Sequence, residues 1–260
     1  MKYLRSAIEY ISRGVVLRRN LPPRFGGGRI NVSPGSALRY WFKNLESVDP
    51  QLLAAAEELV APGDVVWDVG ANVGLFAFSA AGLAGARGRV LALEPDAWLA
   101  NLLHRSAALG ESTAAHVDVL SMAVSDKIRL TNLMVAARGR ASNHLPDGGN
   151  CSAGGVRNTQ ATLCLTLDWL LGVYPPPNVL KIDVEGLEVA VLRGARRILA
   201  EARPRILCEV RESNADSVAR LLREADYSLF DAHTPKAARK PLTMAAWNSI
   251  AYPSAPYTQA

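Results

Sequence analysis

Residues 65–74 read VVWDVGANVG, an apolar run that ends in the acid Asp68 and passes directly into a glycine-spaced turn. A second acid, Glu94, follows Gly74 by twenty residues, at the end of the apolar run 90–93. Glycines let a ligand approach the main chain, and an acid ending the second strand can accept hydrogen bonds from two ribose hydroxyls. The pattern therefore predicts a nucleoside pocket. The plainer alternative is a glycine turn between any strand and helix.

The spacing of this turn distinguishes between nucleoside ligands. A dinucleotide-binding turn reads G-x-G-x-x-G and holds a pyrophosphate, whereas this one reads Asp68-x-Gly70-x-Asn72-x-Gly74. The amide of Asn72 would crowd a pyrophosphate but could bind an amino-acid moiety, and the charge of Asp68 suits an ammonium and a sulfonium group. The ligand that joins a nucleoside to a cationic amino acid is S-adenosylmethionine, which the sequence predicts as the cofactor.

Predicted strands and helices alternate along most of the chain, which is typical of a parallel sheet with crossover helices. The predicted strands lie at 65–68, 90–93, 116–124, 179–182 and 206–210, with closing strands at 227–230 and 249–252. The predicted helices lie at 50–60, 75–83, 97–109, 187–202 and 215–225. Two strand-like pieces, 128–135 and 161–165, flank a polar loop at 139–158 that interrupts the alternation, and a loop of that length is usually functional or disordered.

This order of elements predicts an α/β, Rossmann-like fold with a mostly parallel central sheet and helices on both faces. We expect the domain to occupy 50–260 and an N-terminal helical or loop appendage to occupy 1–49. Residues 1–20 combine apolar positions at helical spacing with basic residues, which predicts an amphipathic helix packed on the domain or used in dimerisation. The alternative is a basic helix on an anionic membrane surface; the segment is too charged for stable insertion.

Composition sets mild limits on partners and compartment. The 260 residues carry a formal net charge of +5 and give a pI near 9.3, which permits an anionic partner without requiring one. Three cysteines without metal-binding spacing fit a reducing, cytoplasmic compartment.

Two further acids follow neighbouring predicted strands, Asp183 after 179–182 and Glu209 near the end of 206–210. Ligands of open α/β sheets bind beyond the carboxyl ends of the strands, so both acids should face the same crevice. Because carboxylate oxygens suit Mg²⁺, Asp183 and Glu209 are candidate Mg²⁺ ligands, or Asp183 orients substrate hydroxyls. Alternatively, Asp183 or Glu185 caps the following helix.

His144 lies in the long loop, where functional side chains concentrate more often than in a scaffold. A free alcohol is a poor nucleophile at neutral pH, and imidazole is the side chain suited to accept its proton there. His144 is therefore the candidate general base, against the alternative of a solvent-exposed loop histidine. Ser142 and Asn143 could align substrate hydroxyls or serve only as turn residues.

Six blocks of the sequence, in register, resemble the FkbM family of S-adenosylmethionine-dependent methyltransferases. The blocks are DVGANVG at 68–74, EPD at 94–96, AVSD at 123–126, TLDWL at 166–170, KIDVEG at 181–186 with LRG at 192–194, and RP at 203–204 ahead of EV at 209–210. The resemblance implies a class I methyltransferase fold and O-methylation, commonly of sugars or natural products. It assigns cofactor roles to Asp68, Gly70, Asn72, Gly74 and Glu94, and contacts near the adenine to Met122 and Ser125.

The family's D-x-E-G block matches Asp183 and Glu185, and with His144 they form the expected catalytic set. His144 departs from the family, whose members often have small polar residues at that position, so its role rests on the loop and the imidazole and not on the resemblance. We expect methyl transfer to a hydroxyl of a sugar or oligosaccharide, with a methylmannoside as the narrowest expectation, a possible homo-oligomer and no nucleic-acid partner. One rival is an RNA methyltransferase, which the basic charge favours but the block DVEG at 183–186 does not. The other is a nucleoside-binding regulator without chemistry, for which the acids at 183 and 209 would have little use.

Overall fold

The computed structural model describes residues 14–110, 113–137, 139–149 and 155–254. Its strands are β1 (Leu17–Asn20), β2 (Arg29–Val32), β3 (Val65–Val69), β4 (Arg89–Leu93), β5 (His116–Leu120), β6 (Ala123–Val124), β7 (Arg129–Ala136), β8 (Val156–Leu165), β9 (Val179–Ile182), β10 (Arg205–Glu209), β11 (Tyr227–Asp231) and β12 (Asn248–Pro253). Its α-helices are α1 (Arg39–Phe42), α2 (Leu45–Val48), α3 (Pro50–Leu59), α4 (Leu75–Ala84), α5 (Ala97–Ala107), α6 (Leu167–Leu170), α7 (Glu188–Arg193) and α8 (Ala215–Glu224).

The central sheet has seven strands in the order β11-β12-β10-β9-β3-β4-β5. β3 pairs in parallel with both β4 and β9, and β10 continues in parallel beyond β9, whereas β12 is antiparallel to its two neighbours. The chain builds outward from β3 to β5 and then returns to the other side of β3. The β3–β9 boundary is therefore the switch point at which open α/β sheets bind ligands.

Successive residues of the central strands belong to two hydrophobic clusters, one on each face of the sheet. Val66 and Val90 belong to the cluster that includes side chains of α3, α4 and α5. Trp67 and Leu91, the next residues along the same strands, belong to the cluster that includes side chains of α7 and α8. Because strand side chains alternate between faces, helices cover both faces of the sheet. The predicted α/β, Rossmann-like class is confirmed.

The helices α3 and α5 each begin at a carboxylate cap, and both start where the sequence predicts a helix. The Asp49 carboxylate accepts from the backbone N–H of Leu52 at 3.0 Å, with Pro50 at the first helical position of α3. The Asp96 carboxylate accepts from the backbone N–H of Trp98 at 2.9 Å at the start of α5. Each such cap satisfies N–H groups that have no partner within the helix and contributes about 1 kcal/mol.

The strand predicted at 116–124 is wrong as a single element. Its backbone turns after Leu120, whose carbonyl accepts from the N–H groups of Glu94 at 3.2 Å and Met122 at 3.0 Å. The short β6 then leaves the central sheet and pairs with β8, which also pairs with β7 in a second sheet of order β6-β8-β7. This turn, whose carbonyl also accepts from the sequence-distant Glu94, splits an apolar run that the periodicity predicts to be continuous.

The helix predicted at 187–202 is interrupted at Gly194. A Cβ at Gly194 would lie 2.3 Å from the carbonyl oxygen of Ser125, so only glycine permits this approach of two backbones. Beyond it the Asp168 carboxylate accepts from two backbone N–H groups at 3.1 Å, where a π-helical turn begins at Ile198. The long helical pattern is correct in position but broken by a tertiary contact.

The amphipathic helix predicted at 1–20 lies mainly outside the described residues, which begin at 14. Within them the expectation is wrong, since Leu17–Asn20 is the strand β1 and pairs antiparallel with β2. Leu21 N–H donates to Gly28 O at 2.8 Å and closes the connection between the two strands. Among the residues that the structure describes, no helix combines the length and apolarity needed to cross a membrane.

The boundary between 1–49 and 50–260 stays a prediction. The described part of the first segment is packed on the domain, because Phe25, Ile30 and Leu45 are almost fully buried in the same cluster as α3, α4 and α5.

Candidate active site

A cavity of about 230 Å³ opens at the carboxyl ends of β3, β4, β9 and β10, where the strand order reverses. One part of its wall, here called the turn half, consists of the turn 70–73 and the ends of β4 and β5, at Glu94 and Met122. The other part, here called the acidic half, consists of the ends of β9 and β10 with residues from 39–55 and 232–248. The predicted ligand crevice is therefore a real cavity with two chemically different walls.

The turn after β3 needs glycine for two separate reasons. Gly70 has φ +78°, and a Cβ there would lie 1.9 Å from the carbonyl oxygen of Asp183. Gly74 has φ +88°, and Asn72 adopts the left-handed region as well, at φ +54°. The Asn72 side-chain oxygen also accepts a hydrogen bond from the Ser36 hydroxyl. The tight turn leaves its backbone open to the cavity, as the sequence pattern predicted.

Glu94 is buried at the end of β4 and lines the turn half. One carboxylate oxygen accepts from Asn72 N–H at 2.8 Å and the other accepts from Asp96 N–H at 2.9 Å. Burial raises the pKa of Glu94 to about 7, although these two hydrogen bonds oppose the shift. Because a carboxylate offers about four lone pairs, two remain for neighbouring hydroxyls of a ribose.

Asp68 is fully buried and lies behind the cavity wall, in contact with Lys181. Lys181 Nζ is 3.0 Å from Asp68 and 3.2 Å from Asp183, and it donates to Gly70 O at 2.8 Å. Burial opposes the charge on Lys181, but Asp183 and Asp68 outweigh it and raise the lysine pKa. Burial also raises the pKa of Asp68, against the attraction of Lys181. Lys181 therefore fixes β3 and β9 together beneath the turn.

The acids predicted at the carboxyl ends of β9 and β10 meet in one place, since Asp183, Glu185 and Glu209 all line the acidic half. Burial, and next the charge of Asp183, raise the pKa of Glu209 to about 8. Glu185 instead pairs with Arg211 at 2.5 Å. The capping alternative is wrong for Asp183 and Glu185, because α7 begins without a side-chain cap.

A magnesium ion is a poor match for the donor set. Within the described residues, no group of three His, Cys, Asp or Glu side chains could hold a metal ion. Of the two candidate ligands, Asp183 is already paired with Lys181. A hard divalent cation needs more oxygen ligands than Glu209 and Asp183 supply, and a neighbouring ammonium group competes with it.

His144 lies over the cavity on the loop that follows β7. The described part of this loop, 139–149, forms two 3₁₀ turns, and β8 begins at Val156, so the expectation of one loop over 139–158 is wrong at that end. The His144 backbone pairs with Met134 through hydrogen bonds of 3.2 and 2.8 Å. Its side chain is buried and lines the cavity, so the solvent-exposed alternative is wrong.

One ion pair and a hydrogen bond from an arginine hold the two ends of the 139–149 loop over the cavity. At one end Arg140 forms an ion pair with the buried Asp96, and Asn143 donates to the same carboxylate at 2.7 Å. At the other end Arg211 donates to Gly148 O at 3.2 Å while it pairs with Glu185. Asp96 also donates its backbone N–H to Glu94, so the loop is linked through Asp96 to the predicted ribose acid.

The two residues predicted to lie near the adenine differ in their position relative to the cavity. Met122 lines the turn half, whereas Ser125 is buried away from the cavity and donates to Asp126 at 3.2 Å. Sequence reasoning missed the pairing of Arg140 with Asp96 because the partners are 44 residues apart. It also missed the part of the acidic half contributed by 39–55 and 232–248, which carries no recognisable motif.

The fold and the cavity are those of a Rossmann-like α/β protein with a ligand crevice at the switch point of its sheet. The segment 68–229 matches the family described as the methyltransferase FkbM domain. Because that segment is more than half of the chain, the chain belongs to the FkbM methyltransferase family. A search of curated proteins gives no match.

Similar solved structures are distant in sequence. The chain is similar to a methyltransferase FkbM from Methylobacillus flagellatus, at 17% identity and a TM-score of 0.47, over 77% of this chain and 50% of that chain. It thus spans half of that protein's length. It is similar to an S-adenosylmethionine-dependent O-methyltransferase from Thermotoga maritima, at 13% identity and a TM-score of 0.45, over 93% and 78% of the two chains. It is also similar to Aeropyrum pernix fibrillarin with bound S-adenosyl-L-methionine, at 15% identity and a TM-score of 0.45, over 87% and 90%.

Proposed function

We propose that the protein transfers a methyl group from S-adenosylmethionine to a hydroxyl group of a sugar or oligosaccharide. One observation carries the proposal: His144, Asp183 and Glu209 line the same cavity as the glycine turn and Glu94. In this proposal His144 is the proton acceptor, and Asp183 and Glu209 orient hydroxyl groups beside the cofactor.

On the cofactor side, the residues present fit the nucleoside. When bound, S-adenosylmethionine supplies a sulfonium methyl group. The carboxylate of Glu94 accepts from ribose hydroxyls, and the open backbone of Gly70 and Asn72 receives the amino-acid moiety. The buried negative charge of Asp68 stays close to Lys181, so its role is to fix the turn rather than to contact the cofactor.

On the acceptor side, His144 takes the proton of the reacting hydroxyl. Its Nδ1 lies 3.4 Å from the carbonyl oxygen of Ser142. A carbonyl oxygen can only accept, so this contact favours the tautomer that carries its proton on Nδ1 and leaves Nε2 to receive another. His144 Nε2 would take the proton of the hydroxyl group, while the bound cofactor would supply the methyl group and keep the electron pair of the broken carbon–sulfur bond on sulfur.

Asp183 and Glu209 hold the hydroxyls of the acceptor in this proposal. Two neighbouring carboxyl groups suit vicinal hydroxyl groups, which donate to them. The narrower acceptor, a methylmannoside, has no separate support. Mg²⁺ held by Asp183 and Glu209 stays a hypothesis. Loss of activity in EDTA with recovery on adding Mg²⁺ would support it, and unchanged activity would remove it.

The proposal is tested by incubating the protein with methyl-labelled S-adenosylmethionine and a panel of mono- and oligosaccharides. We expect label in at least one saccharide, as a base-stable ether rather than an ester. Label in RNA, with salt-sensitive binding, would identify the RNA alternative. Tight cofactor binding without turnover on any acceptor would identify a regulator instead.

A further inference from the structure

The acidic half of the cavity is completed by residues outside the segment 68–229 that matches the family. Arg39, Asp49 and Gln51 come from the segment ahead of β3, and His233 and Asn248 come from the last two strands and their connection. The two segments are far apart in sequence, and the sheet brings both of them to the ends of β9 and β10.

One pair of these side chains stands directly beside the acidic residues of the active site. Asn248 is the partner of Glu209 in the β10–β12 register. The Asn248 amide nitrogen lies 3.1 Å from His233 Nε2. The backbone holds this arrangement, since Ala232 N–H donates to Asn248 O at 2.9 Å. Amide and imidazole groups both donate and accept, which is the property that hydroxyl recognition needs.

The charges of the cavity wall exclude one class of acceptor. Each cationic side chain among the described lining residues already has a carboxylate partner: Arg39 with Asp49 at 3.6 Å, Arg140 with Asp96, and Lys181 with Asp68 and Asp183. Within the same residues, Glu209 has no cationic partner. A phosphate or carboxylate on the acceptor would find no cation without a carboxylate partner among these residues and would lie beside the carboxylates of Asp49 and Asp183, at a cost that the low local dielectric increases.

We propose that Arg39, Asp49, Gln51, His233 and Asn248 form an acceptor subsite that selects a neutral, hydroxyl-rich acceptor over an anionic one. This inference rests on the proposed transfer to a sugar hydroxyl and adds the residues that select the sugar. His233 and Asn248 contact ring hydroxyls next to the one that reacts. The Arg39–Asp49 pair gives this arginine a carboxylate partner, so that among the described lining residues no cation is left unpaired for a phosphate.

The first experiment compares acceptors on the wild-type protein. Methyl glycosides of glucose, mannose and galactose are assayed beside the matching 6-phosphates and uronic acids, with labelled S-adenosylmethionine. We expect kcat/KM for the best neutral glycoside to exceed that for its charged forms at least about tenfold. A preference for a phosphorylated or uronic acceptor overturns the subsite. Absence of turnover on every saccharide refutes the proposed function itself, so the two failures are distinguishable.

The second experiment removes two side chains of the acceptor subsite. The double variant His233→Ala, Asn248→Ala should raise KM for the neutral glycoside about tenfold, because two hydrogen-bonding groups are lost, while calorimetry gives an unchanged cofactor Kd. His104→Ala is the matched control, since His104 is an exposed histidine on α5, away from the cavity. Equal KM in the double variant and the control would overturn the proposal.

The variant Gln51→Lys adds a charge, and its expected result is a changed preference between two acceptors. General structural damage would lower activity on both acceptors and would not favour the charged one. Gln51 is exposed on the first turn of α3, so lysine fits there and places a free cation on the acidic half. We expect the ratio of kcat/KM for a 6-phosphate to that for the neutral glycoside to rise about fivefold or more at low salt. An unchanged ratio places Gln51 outside the acceptor subsite and overturns its assignment.

Discussion

The turn half and the acidic half of the cavity are built in opposite ways. The turn half comes mainly from 70–95, one continuous stretch, and it presents backbone groups and one buried acid, Glu94. The acidic half collects side chains from β9, β10, 39–55 and 232–248, which only the folded sheet brings together. Recognition that depends on the main chain is therefore local in sequence, and recognition that depends on side chains is assembled by tertiary structure.

The largest effect is expected where the two halves touch. Gly70→Ala would place a Cβ 1.9 Å from the carbonyl oxygen of Asp183 and would force alanine to φ +78°. We expect more than about 4 kcal/mol of lost stability, together with loss of cofactor binding. Chemical denaturation and calorimetry measure both.

Gly27→Ala is the matched control for this substitution. Gly27 also has a positive φ, of +67°, but a Cβ there meets nothing within 4 Å. The strain of the left-handed backbone alone should cost about 1–2 kcal/mol and leave cofactor binding unchanged. Equal losses in the two variants would mean that the contact with Asp183 is unimportant.

His144→Ala separates the chemistry from the cofactor pocket. We expect kcat to fall about 10²–10⁴-fold, because a positioned base contributes that much, while the cofactor Kd stays the same. Steady-state kinetics on the saccharide found by screening, with calorimetry for the cofactor, checks both values. Unchanged turnover would remove His144 from the mechanism.

Glu94→Gln tests the turn half without changing its shape. A hydrogen bond to a charged group contributes about 1.5–3 kcal/mol, so we expect the cofactor Kd to rise about 10- to 150-fold. Calorimetry measures the change. An unchanged Kd would show that the ribose hydroxyls do not reach this carboxylate.

The pH dependence of Glu94 has a defined sign. Burial raises its pKa from 4.5 to about 7, so the folded state holds a proton that the unfolded state releases. Its contribution to stability is complete below pH 4.5 and is lost as pH rises through 7. Cofactor affinity should change oppositely and increase through the same range, because the anion is the better acceptor. Glu94→Gln should flatten both profiles, as denaturation and binding series across pH would show.

The smallest of these effects is expected for the 139–149 loop, which lies over the cavity. Arg140→Ala removes the ion pair with Asp96 but leaves the hydrogen bond from Asn143 to that carboxylate. We expect kcat/KM for the acceptor to fall about tenfold, which corresponds to about 1.4 kcal/mol, with little change in the cofactor Kd. Arg197→Ala, at an exposed ion pair with Glu201, is the control and should behave as wild type.

Much of the fold could be predicted from the sequence, and the failures share a cause. The predicted starts of α3 and α5, at 50 and 97, agree with the structure, in which Asp49 and Asp96 cap these helices through local hydrogen bonds. The breaks at Leu120 and Gly194 were missed, since each depends on a backbone contact with a residue distant in sequence. Local hydrogen bonds leave a sequence signature, and long-range contacts do not.

The same difference between local and long-range contacts applies to the candidate site. The sequence indicated Gly70, Glu94, Asp183, Glu209 and His144, and the structure brings all five to one cavity. Their roles in binding and catalysis stay predictions. Nothing in the sequence pattern indicated that Asp68 would be paired with Lys181 behind the cavity wall.

The sequence alone determined the alternating order of strands and helices, the glycine turn and the acid that follows the next strand. These depend on periodicity, backbone sterics and spacing, which are properties of neighbouring residues. Only the tertiary structure decided that Arg140 would hold the His144 loop to Asp96, and that His233 and Asn248 would stand beside Glu209. Such contacts arise from strand order and packing, and the distance along the chain between their partners conceals them until the sheet has formed.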